Sequence, residues 1–178
     1  MKQDTNQLRM TAYASLMAAL TAVGAYISIP IGQVPIVLQN LFVFLTGLLL
    51  GRKWGTIAIA MYLLAGICGL PVFAGGKGGI GHVIGPTGGY LIGYVPAVFF
   101  IGLLAEKGRG RPFFDLMGML LGTAAIYGLG VPWLKLVTNM SFAKTLALGM
   151  YPFLLGDAIK ISVAIPLARK LRPMVERK

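Results

Sequence analysis

The chain has 178 residues, 57% of them hydrophobic and only 12% charged, with a mean hydropathy of +0.79. That is too apolar for a soluble domain of this size and fits a polytopic membrane protein with one bundle and no separate soluble domain. A net charge of +11 would suggest nucleic acid in a soluble protein, but here the placement of the charges accounts for it, and the single cysteine, Cys68, excludes an internal disulfide and a Cys-cluster metal site.

Taken in chain order, the first predicted span is 10–29, preceded by Lys2 and Arg9. Its apolar run exceeds that of a signal peptide, and no small-residue cleavage site follows it. Ala14, Ala18 and Ala22 recur every four residues, with Ser15 and Ala19 beside them. Small residues at that spacing let helices approach closely in lipid, either within the bundle or against another membrane protein. Pro30 and Pro35 flank a short outer turn, 31–34. The second span, 36–50, is short for ~30 Å of hydrocarbon. It carries Gln39 and Asn40 near its outer end, as glue between helices or as donor and acceptor for a ligand. Gly51-Arg52-Lys53-Trp54 forms a tight cytoplasmic turn with an interfacial tryptophan, and the third span runs 55–70. Cys68 lies in an apolar run and is expected to be a small buried hydrophobe.

Residues 69–89 are the least ordinary stretch: nine of 21 are glycine, yet Leu70, Val72, Phe73, Ile80, Val83 and Ile84 are apolar. Glycines permit positive φ and close approach of a ligand. Irregular backbone beside a membrane is tolerated where it is buried in protein or lines a cavity. The segment therefore reads as a folded lid on the outer face. Its G-G-K-G-G lacks the phosphate-loop spacing. Lys77, at its centre, is either a counter-charge for an anionic ligand or a solvated loop lysine. His82, the only histidine, has no partners for a metal site and is expected to be hydrogen-bonded locally.

The fourth span is 89–105 and a basic loop, 106–111, follows it. Pro112 opens the fifth span, 113–130, at the first helical position. Residues 132–144 read as an outer loop containing Trp133, and the sixth span as 145–168. This division puts Lys2, Arg9, Arg52, Lys53, Lys107, Arg109, Arg111, Arg169, Lys170, Arg172, Arg177 and Lys178 at one set of ends. Only Lys77, Lys135 and Lys144 lie at the other. The asymmetry predicts six transmembrane helices with both termini cytoplasmic.

The sixth span holds Asp157 and Lys160, on one helix face at i, i+3. Ionisable groups inside a span are costly and mark function by default. Counted from Thr145, Asp157 is ~18 Å along the helix, in its outer half. The pair reads a polar ligand from both sides, or neutralises itself as a structural ion pair, or relays protons. Of the aromatics, Tyr90 and Tyr151 suit a pocket, since each offers a hydroxyl and an apolar face beside a singled-out segment. Phe73, Tyr94, Tyr127 and Phe153 read first as packing or interface anchors. Among five acids only Asp157 is well inside a span, and no Ser/His/Asp set or H-E-x-x-H motif exists. That argues against an enzyme and assigns no catalytic or metal-binding residue.

V-P-I-V-L-Q-N (34–40), G-L-P-V-F-A-G-G-K-G-G (69–79), G-P-T-G-G-Y (85–90) and F-L-L-G-D-A-I-K (153–160) resemble the BioY family, the biotin-specific substrate-binding (S) components of energy-coupling factor transporters. The resemblance covers nearly the whole chain, in order. It implies a six-helix S-component fold, all-α and integral to a bacterial or archaeal cytoplasmic membrane, with an outward-facing, loop-capped site. It implies that Asp157 and Lys160 hold the ureido ring of biotin and that the middle of the glycine loop, here Lys77, contacts ligand; Phe73 and Gly76 beside it, with Tyr90, Tyr151 and Gln39 from the residue reading, are expected in the same pocket. Family members can carry Asn at the position of Lys77 and Arg at that of Leu91, so Lys77 or loop N–H groups would answer biotin's carboxylate here. It implies no cofactor. It also implies that Ala14, Ala18 and Ala22 dock on a transmembrane coupling protein driven by two cytoplasmic ATPases, since the chain has no nucleotide motif. The alternatives are an S component for another vitamin, such as thiamine or riboflavin, and an intramembrane transferase.

Overall fold

The computed structural model describes residues 2–30 and 33–176, with side chains from residue 5 to residue 175. Its elements are α1 (Lys2–Tyr26), β1 (Ser28–Ile29), β2 (Ile36–Val37), α2 (Gln39–Ile67), α3 (Ile80–Ile84), α4 (Gly88–Gly108), α5 (Pro112–Thr138), α6 (Phe142–Gly149) and α7 (Tyr151–Glu176). Five helical stretches are long and apolar enough to cross a membrane. In hydrocarbon every backbone group must be satisfied within the segment, and helices do this.

α2 is two spans. Gly51 leaves helical geometry at φ 71°, ψ −175°, a conformation glycine adopts without strain. A methyl group on Gly55 would sit 3.3 Å from the Thr46 carbonyl, and Gln39 reaches Tyr62, so the helix doubles back on itself. The Glu106 carboxylate of α4 accepts the Arg52 amide at 2.8 Å, capping the second arm where the helix dipole favours negative charge. The turn predicted at 51–54 is thus a reversal within one element, and six segments cross the bundle.

Other boundaries differ from expectation. α1 ends at Tyr26, because Ser28–Ile29 pairs antiparallel with Ile36–Val37, in register Ser28↔Val37 and Ile29↔Ile36. The outer turn 31–34 lies partly outside the described residues. Pro132 and Trp133, expected in a loop, are inside α5. Cys68, expected to be buried, is exposed at the C-cap of α2. The sixth span is broken: α6 stops at Gly149, Met150 is non-helical, and α7 restarts at Tyr151.

α4 lies at the centre, against the second span pair on one side and α5 on the other. Its glycines allow the contact: a methyl on Gly93 would come within 2.9 Å of the Ile126 backbone, and one on Gly102 would collide with the Arg52 backbone. Close backbone approach replaces the water-exclusion force absent in lipid. Two ends result. One gathers Arg52, Glu106, Arg109, Asp115 and Arg172. The other gathers the strand hairpin, residues 68–88 and the α6–α7 break.

At that second end the glycine-rich segment is a folded lid. Phe73 N–H donates to the Lys77 carbonyl at 2.8 Å, and Gly75 and Gly76, at φ 71° and 72°, close the turn. The Gly75 N–H donates to the Ala25 carbonyl at 3.4 Å, and the Tyr26 hydroxyl to the Pro71 carbonyl, so the lid is latched to the end of α1.

Candidate functional site

α7 positions the acid and the base. Its start is fixed by the Tyr90 hydroxyl, which donates to the Gly149 carbonyl at 2.8 Å. Because the helix restarts there, Asp157 is only ~9 Å below its beginning, rather than the greater depth counted from Thr145. Asp157 is 3% and Lys160 8% exposed.

The Lys160 ammonium donates to Asp157 Oδ1 at 3.0 Å. Asn40 Nδ2 donates to the same oxygen at 3.3 Å, and the Tyr127 hydroxyl donates to Oδ2. Tyr94 in turn donates to Asn40 Oδ1 at 2.8 Å. Side chains of α2, α5 and α7 thus meet on one carboxylate, α4 joins through Tyr94 and Asn40, and neither carboxylate oxygen is left bare. A buried charge survives on such terms, paired and hydrogen-bonded.

Above this network lies a narrow cavity that opens toward the glycine-rich segment. Lys160 and Asn40 reach its wall, while Asp157 sits behind them. Gln39, Tyr90, Tyr94, Tyr127 and Phe153 line it, with Val34, Pro35, Val37, Leu91 and Ile126 as apolar surface. Ala74, His82 and Thr87 close it at the lid. Thr87, the N-cap of α4, and Leu91 and Tyr94 within it are spaced i, i+4, i+7, so the polar upper rim and the Tyr94–Asn40 floor are ~10 Å apart with an apolar turn between.

The predicted site residues separate into three groups. Lys160, Gln39 and Tyr90 face the cavity with Asp157 behind Lys160; Gln39 Nε2 also donates to Tyr62 at 2.9 Å, and Tyr62 to the Val72 carbonyl, tying the floor to the lid. Phe73, Gly76 and Lys77 belong to the lid but not to the cavity wall. Phe73 is fully buried, stacked on His82 with ring centres 5.3 Å apart, and the Lys77 side chain is exposed. Tyr151 is 58% exposed and off the cavity. On α1, Ala14 is fully buried and Ala18 and Ala22 half-buried toward α2, whereas Ala12, Ser15, Leu16, Ala19 and Val23 form the exposed stripe.

Sequence reasoning left three cavity groups in the background. Tyr94 and Tyr127 read as packing, yet their hydroxyls complete the carboxylate network. The available signal was the hydroxyl itself, which needs a partner when buried in a span. His82 accepts or donates at 3.2 Å to Thr87, a local partner as expected, and also faces the cavity. Burial, and then the nearby Lys77 charge, hold its pKa below the usual imidazole range, so it is neutral at pH 7.

The chain matches the model of the BioY family over residues 1–177. It is 45% identical over 171 residues to a Thermotoga maritima protein named biotin transporter BioY, covering 96% of this chain and 100% of that one. It is 32% identical over 177 residues to a protein of the same name from Lactococcus lactis subsp. cremoris, covering 95% and 93% of the two chains. A crystal structure described as the S-component for biotin from an ECF-type ABC transporter superposes with a TM-score of 0.88 at 33% identity, over 94% of this chain and 93% of that one. Sequence, fold and the order of the motifs around the cavity agree, and the chain belongs to the BioY family.

Proposed function

We propose that this chain is the biotin-binding subunit of an energy-coupling factor transporter, and that biotin is held in the cavity between the Asp157–Lys160 network and the lid. It is a multi-pass membrane transport subunit and not an enzyme. The observation that carries the reading is a buried carboxylate–ammonium pair at the polar floor of a cavity whose walls are largely apolar. A cyclic urea offers two N–H donors and one carbonyl acceptor. Asp157 and the Asn40 carbonyl supply acceptors, and the remaining Lys160 protons supply donors, all charge-assisted or buried. The apolar turn of α4 at Leu91, with Tyr90 and Phe153, suits the sulfur ring and aliphatic chain. The ~10 Å from floor to rim suits the length of the ligand, which puts its carboxylate at Thr87 and His82. Lys77 then acts from outside the wall as a counter-charge, and Phe73 and Gly76 act by shaping the lid. Tyr151, on the surface, flanks the mouth rather than reading the ligand.

The basic end of the bundle lies on the cytoplasmic side by the charge rule, so the lid faces outward and both termini inward. ATP hydrolysis comes from partners: a transmembrane coupling protein and two ATPases. The surface offered to the coupling protein is the α1 face containing Ser15 and Ala19, with Ala14, Ala18 and Ala22 supporting it from beneath.

The test is a binding panel of biotin, thiamine, riboflavin and niacin on the purified protein, with Asp157→Asn beside wild type. Biotin alone is expected to bind tightly. Tight binding of another vitamin in its place would overturn the reading.

A further inference from the structure

The basic end contains a second, larger opening that biotin binding does not use. It is an open groove lined by Leu48, Leu49, Leu50, Gly51, Ala105, Glu106, Arg109, Gly110 and Arg172. A smaller opening of about 360 Å³, lined by Gly110, Arg169, Arg172 and Pro173, shares two of those residues. Three arginines therefore line two openings that share Gly110, and the Arg172 guanidinium lies against it. Their compensation is incomplete. Asp115, fully buried, takes Arg172 at 3.0 Å, while Glu106 is engaged by Arg52 at 3.3 Å. Among the described residues, Arg109 and Arg169 have no acidic partner.

Arg109 is also held in an unusual backbone state. It caps α4 in the left-handed region at φ 47°, where glycine is the ordinary residue, although Gly110 stands next to it. Left-handed conformations of residues other than glycine are uncommon and concentrate at functional sites. Residues 109 and 110, both at positive φ, line the opening. Its setting is amphipathic: Leu48–Leu50 and Ala105 form apolar wall, and Phe113 and Met174, close in sequence to Gly110 and Pro173, are 67% and 60% exposed. Basic pockets between transmembrane helices, at the level of the headgroups, suit anionic lipids.

We propose that Arg109, Arg169 and Arg172 form a binding site for the phosphate of an anionic phospholipid at the basic end of the bundle. A guanidinium binds phosphate oxygens in a fork, which a zwitterionic lipid satisfies less well because its own ammonium competes. The leucines and the exposed Phe113 and Met174 accept the acyl chains. Arg172 ties this site to α2 and α5, through the Leu48 carbonyl at 3.2 Å and through Asp115. Occupancy therefore braces three helices at once.

The experiment uses the full chain in nanodiscs and in detergent. Native mass spectrometry counts retained lipid when phosphatidylglycerol competes with phosphatidylcholine, and thermal unfolding is followed with each lipid and with glycerol 1-phosphate. Arg109→Gly removes the charge while keeping the left-handed turn, so it folds without strain; it is paired with Arg169→Gln. Wild type is expected to retain phosphatidylglycerol at least tenfold over phosphatidylcholine, and the double variant to lose most of that preference with biotin affinity unchanged. Equal retention of both lipids by wild type, or an undiminished preference in the double variant, overturns the site. Equal stabilisation by glycerol 1-phosphate identifies a soluble anion site and overturns the lipid assignment. Unchanged lipid preference with loss of co-purifying coupling protein shows the arginines to be a protein contact, and also overturns it.

Discussion

Two buried ion pairs use α7, and their surroundings divide the molecule. Asp157–Lys160 lies within the helix at i, i+3, borders the cavity proposed for biotin, and has both carboxylate oxygens satisfied by side chains that could pair otherwise. Asp115–Arg172 joins α5 to α7 and, through the Leu48 carbonyl, to α2; one oxygen of Asp115 has no hydrogen-bond partner. The first pair sits in a network that a ligand can enter by exchange of partners. The second is a rivet between helices. Burial of opposite charges does not separate binding from structure; the neighbours do.

The largest expected effect breaks the rivet. Arg172→Ala leaves Asp115 buried without its cation, a change that costs about 3–5 kcal/mol in comparable cases. Thermal unfolding in detergent should show it, while the folded fraction keeps biotin affinity within about threefold. Normal stability with lost affinity would merge the two pairs into one functional unit. Next, Asp157→Asn keeps the shape and removes the charged acceptor. Biotin binding should weaken by about 1.5–3 kcal/mol, on the order of 10–150-fold. Titration calorimetry measures it, and an unchanged Kd would reduce this pair to a second rivet.

A smaller effect tests the other end of the ligand. Thr87→Val removes a neutral hydroxyl and should cost about 1 kcal/mol of biotin affinity. Lys77→Ala removes only an exposed charge and should narrow the preference for biotin over its amide by about threefold, within the range of screened surface pairs. A complete loss of preference in Lys77→Ala would move the carboxylate from the rim to the lysine. The smallest effect is on pH. His82 is depressed when the lid is docked, so an undocked lid takes up a proton that a docked one refuses. Docking in the ligand-free protein should therefore be intact above about pH 6.5 and weaken as pH falls below it. Amide exchange over residues 70–84 reads this, and His82→Gln should flatten the profile.

The sequence was most legible where hydrocarbon makes an exception costly. Asp157 and Lys160 stand out in an apolar run, and Gly51-Arg52-Lys53 interrupts another with a glycine and two charges. Hydrophobicity says less about direction. From Met10 onward α1 is largely apolar on every side, so its pattern could not reveal that Ala14 faces inward and Ser15 outward. Proline misled in one place and was overlooked in another. Pro132 reads as a helix stop, yet α5 continues, because a helix in lipid loses more by unravelling than by one missing hydrogen bond. Pro152, after Gly149, does coincide with the break between α6 and α7, but the unbroken hydropathy there concealed it. The tyrosine contacts to Asp157 and Asn40 join residues 30 and 54 positions apart, and no local pattern encodes them.

The latch of the lid has one further consequence. Ala25 and Tyr26, which hold residues 71–76, are the last residues of the helix whose exposed stripe begins at Ala12. A protein that grips this stripe acts on the same rigid rod as the post of the lid. By thermodynamic reciprocity, if docking at α1 changes the affinity for ligand under the lid, bound ligand must change the affinity of docking by the same factor. Cargo status and partner exchange would then be two readings of a single coupling free energy, carried by one helix and two hydrogen bonds.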